Sequence, residues 1–510
     1  MHRRAVLGAG AGLLGGRGVI AGVGAATPPP GSPRRRAGAA TSWLRPVARL
    51  PVAGAADCRV SADGRTAFVA VGDGFLAVDV PTMEAVGGAH DIEPDREGGP
   101  LSGVADLAVD GDRLLVPGPA DPTPGRLAGA ALFDVSDPTA PEEVAFHETS
   151  FPIHNAALAN GLAYLSAVDA LVDLDVTDDD PVAVGRWSLA DVDPRWRDVS
   201  RWLWICHDVR VRGDLAVCSQ WDAGTWLVDV GDPSDVTVVG RIGGRSPTEL
   251  ASIRGADVNR AVRSLPGNHH SAALDATGTT LAIGREAFAV EVPSTATATE
   301  PGSGSPTSGS GTSGTPAAAR TVGGPGGLDL YDLSHPSSPT HMSTIDPLPA
   351  ADETVHGTWT TVHDFAFDGD RLLAAWYQGG VTVHDVSDPA DPVELARWRR
   401  PDRAAFWTAR PAVGDTFVAP TTALPAAGLE SALYRFPSQP DSAVPPSAGA
   451  TLTVGTTPAT EPTTTATPPS SAAAGRTTTS GQPGFGPASA LGALGAIGGL
   501  AWWRGRRRQE

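Results

Sequence analysis

Between residues 43 and 437, apolar and polar positions follow one repeating format, in which short runs rich in Val, Leu, Ile and aromatics are cut by polar turn pairs. The unit is clearest at 207–242. His207-Asp208-Val-Arg-Val-Arg leads to Gly213-Asp214, Leu215-Ala-Val-Cys-Ser-Gln-Trp221 to Ala223-Gly224, Thr225-Trp-Leu-Val-Asp229 to Asp232-Pro233, and Val236-Thr-Val-Val-Gly-Arg-Ile closes it. Such runs, bounded by Gly-Asp, Ala-Gly and Asp-Pro, predict four β-strands joined by tight turns. The tail of the third run recurs almost unchanged as Leu132–Pro138, Leu227–Pro233, Leu330–Pro336 and Val383–Pro389. Copies begin near Asp57, Asp106, His154, His207, His270, His363 and Thr408. Four strands per copy and seven copies predict an all-β chain folded as a single seven-bladed β-propeller, with antiparallel strands in each blade. The last copy lacks a fourth strand. Arg45–Val52 stands ahead of the first copy and resembles the fourth-strand segment Pro392–Trp398, so the N-terminal strand is expected to close the ring.

The strand Trp226-Leu-Val-Asp229-Val and its copies resemble the LVIVD-repeat family of β-propellers, a resemblance that covers roughly residues 43–437. It implies the fold. For function it implies only that such repeats occur mostly in cell-surface proteins whose ligands are unassigned.

If the first strand of each blade lines the channel, the loops joining fourth to first strands and second to third strands share one face, and the Asp-Pro turns occupy the other. Every long excursion falls in the first set: 117–129, 188–204, 243–268, 345–361 and a Ser/Thr/Gly/Pro tract that interrupts blade five over 292–324. That tract is expected to carry no packed structure. Elaboration of one face suits recognition, because loops vary while strands hold them rigid.

Four successive copies open on histidine at one repeat position: His154, His207, His270 and His363, with Ala56, Ala105 and Thr408 in the other three. Innermost strands would crowd these imidazoles around half of the channel mouth. Neutral imidazole suits copper, zinc or iron, so one reading is a metal site. The other is structural, each ring hydrogen-bonding a loop of the adjacent blade. The Asp or Asn that follows, at Asp57, Asp106, Asn155, Asp208 and Asp364, reads as a turn-fixing residue. The His-Asp strand openings are also similar to those of selenium-binding-type propeller proteins, a likeness that implies a metal near the channel.

The formal net charge is −19 and no lysine is present, as suits a protein of a salty medium or one from an arginine-rich, GC-rich genome. No basic stripe crosses the repeats, so nucleic acid is not an expected partner. Cys206 and Cys218 can meet across two strands of one blade, as buried thiols or, after export, as a disulfide; Cys58 has no partner. No Cys-x-x-Cys zinc pair, Gly-x-Ser-x-Gly elbow, P-loop or dinucleotide fingerprint stands where the fold would support it.

The termini carry addresses. Arg3-Arg4 precedes a weakly apolar Gly/Ala run to Ala26, the order of a twin-arginine export signal, giving a signal and flexible N-terminus over 1–40. Residues 438–482 are Thr, Ser, Pro, Ala and Gly, an expected stalk suited to O-linked glycans. At 483–510, Pro483-Gly484-Phe485 leads to the apolar run Ala488–Trp503 and then Arg504, Arg506, Arg507 and Arg508. This is similar to the PGF-CTERM sorting signal of archaeal surface proteins, which implies processing by an archaeosortase-type enzyme and a lipid anchor. The apolar run is expected to form a transmembrane-type helix with its basic flank inside. The combined reading is an exported, surface-anchored propeller that binds a surface (S-layer) protein or glycan through its loop-rich face. The alternative is a metal-dependent extracellular oxidoreductase or hydrolase using the four histidines.

Overall fold

The computed structural model describes residues 43–292, 320–426 and 428–440. The export signal, the stalk and the sorting signal expected from the sequence lie outside the described residues. Seven four-stranded antiparallel sheets form the blades, and blade four runs Asp208–Arg212, Leu215–Ser219, Thr225–Asp229 and Thr237–Ile242. Its third strand is buried at four consecutive positions, Thr225 to Val228. Both faces of a blade pack against neighbouring blades, so an inner strand reads as a continuous apolar run, whereas the outermost strand, Thr237–Ile242, begins exposed.

The repeated Asp-Val-x-Asp-Pro tail is two successive side-chain-capped turns. In blade four, Asp229 accepts from the Gly231 N–H at 2.9 Å and Asp232 from the Ser234 N–H at 2.9 Å. Asp385 and Asp388 repeat the pattern in blade six.

Blade seven closes as the sequence predicts: Ala48–Pro51 pairs with Ala432–Pro437 in the register Ala48↔Arg435 to Pro51↔Ala432. Leu433 and Val418 of blade seven share a core with Val52, Ala55 and Cys58, which carries the seam into blade one. Blade five is interrupted between its second and third strands, Thr280–Arg285 and Leu328–Asp332. The interruption expected to be structureless over 292–324 is paired at its edges, where Val290–Val292 forms a ladder with Arg320–Val322. The excursions before blades four and five also fold locally. Leu189–Val192, Pro247–Leu250 and Ala256–Ala261 are short helices whose Leu189, Leu250 and Val258 join the core of blade four. No helix among the described residues is long and apolar enough to cross a membrane.

Candidate functional site

Each first strand delivers its opening residue to the channel mouth. The His207 N–H donates to Ser219 O at 2.8 Å and the His363 N–H to Ala375 O at 2.9 Å, tying both backbones to the second strand of their blade. In blades three and five the ladder slips, between Ile153 and Ala156 and between His269 and Ser271, a bulge that re-aims His154 and His270. The four histidines singled out by repeat position come together. Ring centroids are 4.3 Å apart for His154 and His207, 3.9 Å for His207 and His270, and 4.9 Å for His270 and His363. Trp407 and Tyr377 flank His363 at 4.1 and 4.9 Å, and Trp221 stacks on His207 at 5.6 Å.

The structural reading of the histidines describes one ring nitrogen in three of them. Nδ1 of His154 lies 3.1 Å from Ala120 O, Nδ1 of His207 3.0 Å from His270 O, and Nδ1 of His363 2.7 Å from Trp407 O. These carbonyls belong to adjacent blades, so Nδ1 carries the proton and the hydrogen bond is structural. The lone pair then resides on Nε2. His207 Nε2 and both ring nitrogens of His270 are buried without a hydrogen-bond partner. An orphaned buried acceptor is rare unless something else occupies it.

Glu286, which sequence reasoning missed, completes the cluster. Its carboxylate stands 3.5 Å from His270 Nδ1 and accepts the Tyr377 hydroxyl at 2.5 Å. His270, Glu286 and His363 can each present one ligand atom within 4.8 Å of the others, and all three are buried. Burial drives the His270 and His207 pKa values well below the imidazole range, and neighbouring imidazoles add to the shift. Burial also lowers His363, to about 4, against the pull of Asp364. All three are therefore neutral at neutral pH, the form that ligates metal. Burial raises Glu286 to about 8 although Tyr377 and Arg263 oppose it, and it raises Tyr377 well above the phenol range.

Two or three residues further along the first strands, the channel is plugged by charge. Arg59 pairs with Asp57 at 2.9 Å and Asp106 at 2.6 Å, Arg210 with Asp208 at 2.7 Å and Asp364 at 3.3 Å, and Arg410 with Asp364. Burial would raise Asp364, but Arg410, Arg210 and Arg59 overcome it and hold it at about 2. Burial outweighs the arginines at Asp57, which rises to about 7, and at Asp208, which rises to about 6. These acids do not fix turns, as their position in the repeat suggested. Asp106 accepts the Ala156 N–H, Asn155 the Val209 N–H and Asp208 the Ala272 N–H, each from the next blade. They staple blades together because the first strand has no other partner on its channel side.

Two of the long excursions reach the histidines or the rings that flank them. Ala120 lies in the excursion of blade two, and Trp359, from the excursion ahead of blade six, shares a core cluster with Phe288, Tyr377 and Trp407. Cys58, Cys206 and Cys218 are buried free thiols.

Residues 205–243, which are blade four, match the LVIVD repeat. No curated protein matches the chain. Among solved structures it is similar to the β-propeller domain of Cps50 (Swd1) from Myceliophteria thermophila, at 10% identity and a TM-score of 0.49, covering 76% of this chain and 98% of that one.

Proposed function

We propose that this propeller holds a transition metal at its channel mouth, through ring nitrogens of His270 and His363 and the Glu286 carboxylate, with His207 and His154 continuing the row of imidazoles beside them. The observation that carries this reading is a set of buried groups that come within 4.8 Å of one another, His270, Glu286 and His363, in which both ring nitrogens of His270 have no hydrogen-bond partner and the Nδ1–H of His363 is fixed by the Trp407 carbonyl. An imidazole ligand needs that outer hydrogen bond to fix its tautomer and orientation. Two histidines and a carboxylate suit iron(II), and additional imidazoles suit copper or zinc. When bound, the ion would supply Lewis acidity or electron transfer; the chain's own residues hold the imidazoles neutral, exclude water with Trp221 and Trp407, and keep a hydrogen-bonded Tyr377 on the carboxylate.

The test is elemental analysis of full-length protein purified without an affinity tag, beside His363→Ala and His270→Ala. Stoichiometric metal in the wild type and its loss in both variants is the expected result. A metal-free wild type that also fails to take up iron, copper or zinc would overturn it. That outcome would favour the second reading, a pure interaction module, which rests on the gathering of the long excursions on one face.

The address follows from Arg3-Arg4 and Pro483-Gly484-Phe485: an exported propeller, cut by an archaeosortase-type enzyme and left on a lipid anchor at the cell surface. The mature protein is expected to end near residue 483 and to partition with lipid. Intact mass spectrometry of wild type and of a Pro483→Ala, Gly484→Ala, Phe485→Ala variant checks this, and masses that differ only by the three substitutions would reject it.

A further inference from the structure

We propose that Tyr377 is a one-electron redox site coupled to the channel-mouth centre, giving its electron to the bound ion and its proton to Glu286. This rests on the metal reading above and narrows it. Zinc has no second oxidation state to take the electron, so the ion is copper or iron and the centre belongs to an oxidoreductase. The Tyr377 hydroxyl donates to Glu286 Oε1 at 2.5 Å, while Glu286 Oε2 stands 3.5 Å from His270 Nδ1. The phenol ring meets the His363 ring at 4.9 Å between centroids. Tyr377 therefore touches two of the three groups whose ligand atoms come together, one through its hydroxyl and one through its ring.

The turn that carries Tyr377 does not itself require an aromatic side chain. Gly72 holds the same place in blade one, bridging to Val104 as Tyr377 bridges to Phe406, with φ 86° where Tyr377 has 45°. Glycine adopts that conformation freely, whereas a bulky residue there is strained and persists where its surroundings hold it. What Tyr377 adds is a phenol only 1% exposed, walled by Trp359 at 5.1 Å and Trp407 at 6.0 Å. The step balances in charge and atoms. Tyr377 loses one electron to the ion, which a peroxide has oxidised beforehand, and its O–H proton passes to Glu286 Oε1 along the existing hydrogen bond. A neutral phenoxyl radical, a protonated carboxyl group and an ion one oxidation state lower remain. The proton has little distance to cover, since 2.5 Å is the short limit of an O–H···O bond. Tyr434 supplies the contrast. Its hydroxyl donates to Glu430 at 2.7 Å, but Arg49 and Arg403 pair with that carboxylate and oppose its protonation, and the rings around Tyr434 are Trp398, Phe406 and Phe436.

Flash photo-oxidation of the full-length protein by tris(bipyridine)ruthenium, followed by transient absorbance and EPR, tests this. The first arm uses metal-free protein at about pH 9, where Glu286, which burial holds at about 8 against Tyr377 and Arg263, is ionised. A neutral tyrosyl radical, identified by ring-deuterated tyrosine, should form in wild type and in Tyr434→Phe and be missing from Tyr377→Phe. Glu286→Gln, whose amide cannot take the proton, should form it about a hundredfold more slowly. In the second arm, copper(II)-loaded wild type should lose the free-radical line through magnetic coupling to the ion, and His270→Ala treated with copper should keep it. Melting curves on each variant exclude misfolding, and Glu286→Gln decides alone if Tyr377→Phe does not fold. A wild type without the radical, a Tyr377→Phe that retains it, or a folded Glu286→Gln as fast as wild type overturns the proposal, as does bound copper that leaves the line unchanged. Failure of copper to bind overturns the metal reading instead, and the metal-free arm still reports whether Tyr377 is oxidised through Glu286.

Discussion

At the residue scale, Glu286 is the group whose chemistry the fold changes most usefully. Burial holds its pKa at about 8, whereas a carboxyl group in an unfolded chain titrates near ~4.3. Between those values the folded protein keeps a proton that the unfolded chain releases. Glu286 therefore contributes stability at low pH that is lost as pH rises through that window, by about 1.4 kcal/mol per pH unit at most. His363 works the other way. Its folded pKa of about 4 lies below the unfolded value, so its contribution is lost as pH falls from ~6.5 toward 4. Because the two oppose each other, the informative quantity is a difference. In chelator-treated protein, Glu286→Gln should gain melting temperature over wild type as pH is raised from 5 to 8, and the gain should level off above that. Parallel melting curves across the range would show that the carboxyl group is not neutral in the metal-free fold.

At the scale of elements, the repeat made most of the architecture readable, and one contact shows how. The Asp-Pro turn of each blade rests its proline carbonyl on the fourth strand of the blade before it. A Cβ on Gly185 would stand 2.3 Å from Pro233 O, and one on Gly240 2.3 Å from Pro336 O. Where the blade before carries a side chain, the carbonyl is bonded instead: Ser343 donates to Pro389 O at 2.6 Å. The recurrence of Asp-Pro thus encodes blade stacking as well as a turn, and the sequence displays it because every blade must solve the same packing problem. The four histidines were legible for the same reason, standing at one repeat position. Glu286 was not, since it belongs to blade five alone and meets His270 only through the fold. Trp221 and Tyr377 left a fainter trace. Both sit in the turn after a second strand, and both adopt left-handed backbone angles, φ 42° and 45°, where a bulky side chain is uncommon. The acids of the first strands were visible as a column in the repeat, but each also has a partner in another blade, which for Asp364 and Arg210 is 154 positions away.

At the scale of the whole molecule, seven blades form a ring only if its two ends are joined, and here the joint is a single short strand. Ala48–Pro51 supplies the fourth strand of blade seven, while Leu44 packs against Phe406 and Phe436, and Val52 against the seam with blade one. Leu44, Ala48 and Val52 are almost wholly buried. Removing them exposes Ala432–Pro437 as an open edge and forfeits about 1.5–3 kcal/mol for each large apolar side chain. Unpaired edges of that kind recruit other chains. Deleting residues 43–52 should therefore lower the melting temperature and make the protein associate with rising concentration, as read by calorimetry and light scattering. Adding the peptide 43–52 back should reverse part of both effects, because the acceptor edge remains formed by the rest of blade seven. A deletion variant that melts like wild type and stays monodisperse would mean that blades one and seven hold the ring through their facing cores alone, and that the N-terminal strand decorates a propeller already closed.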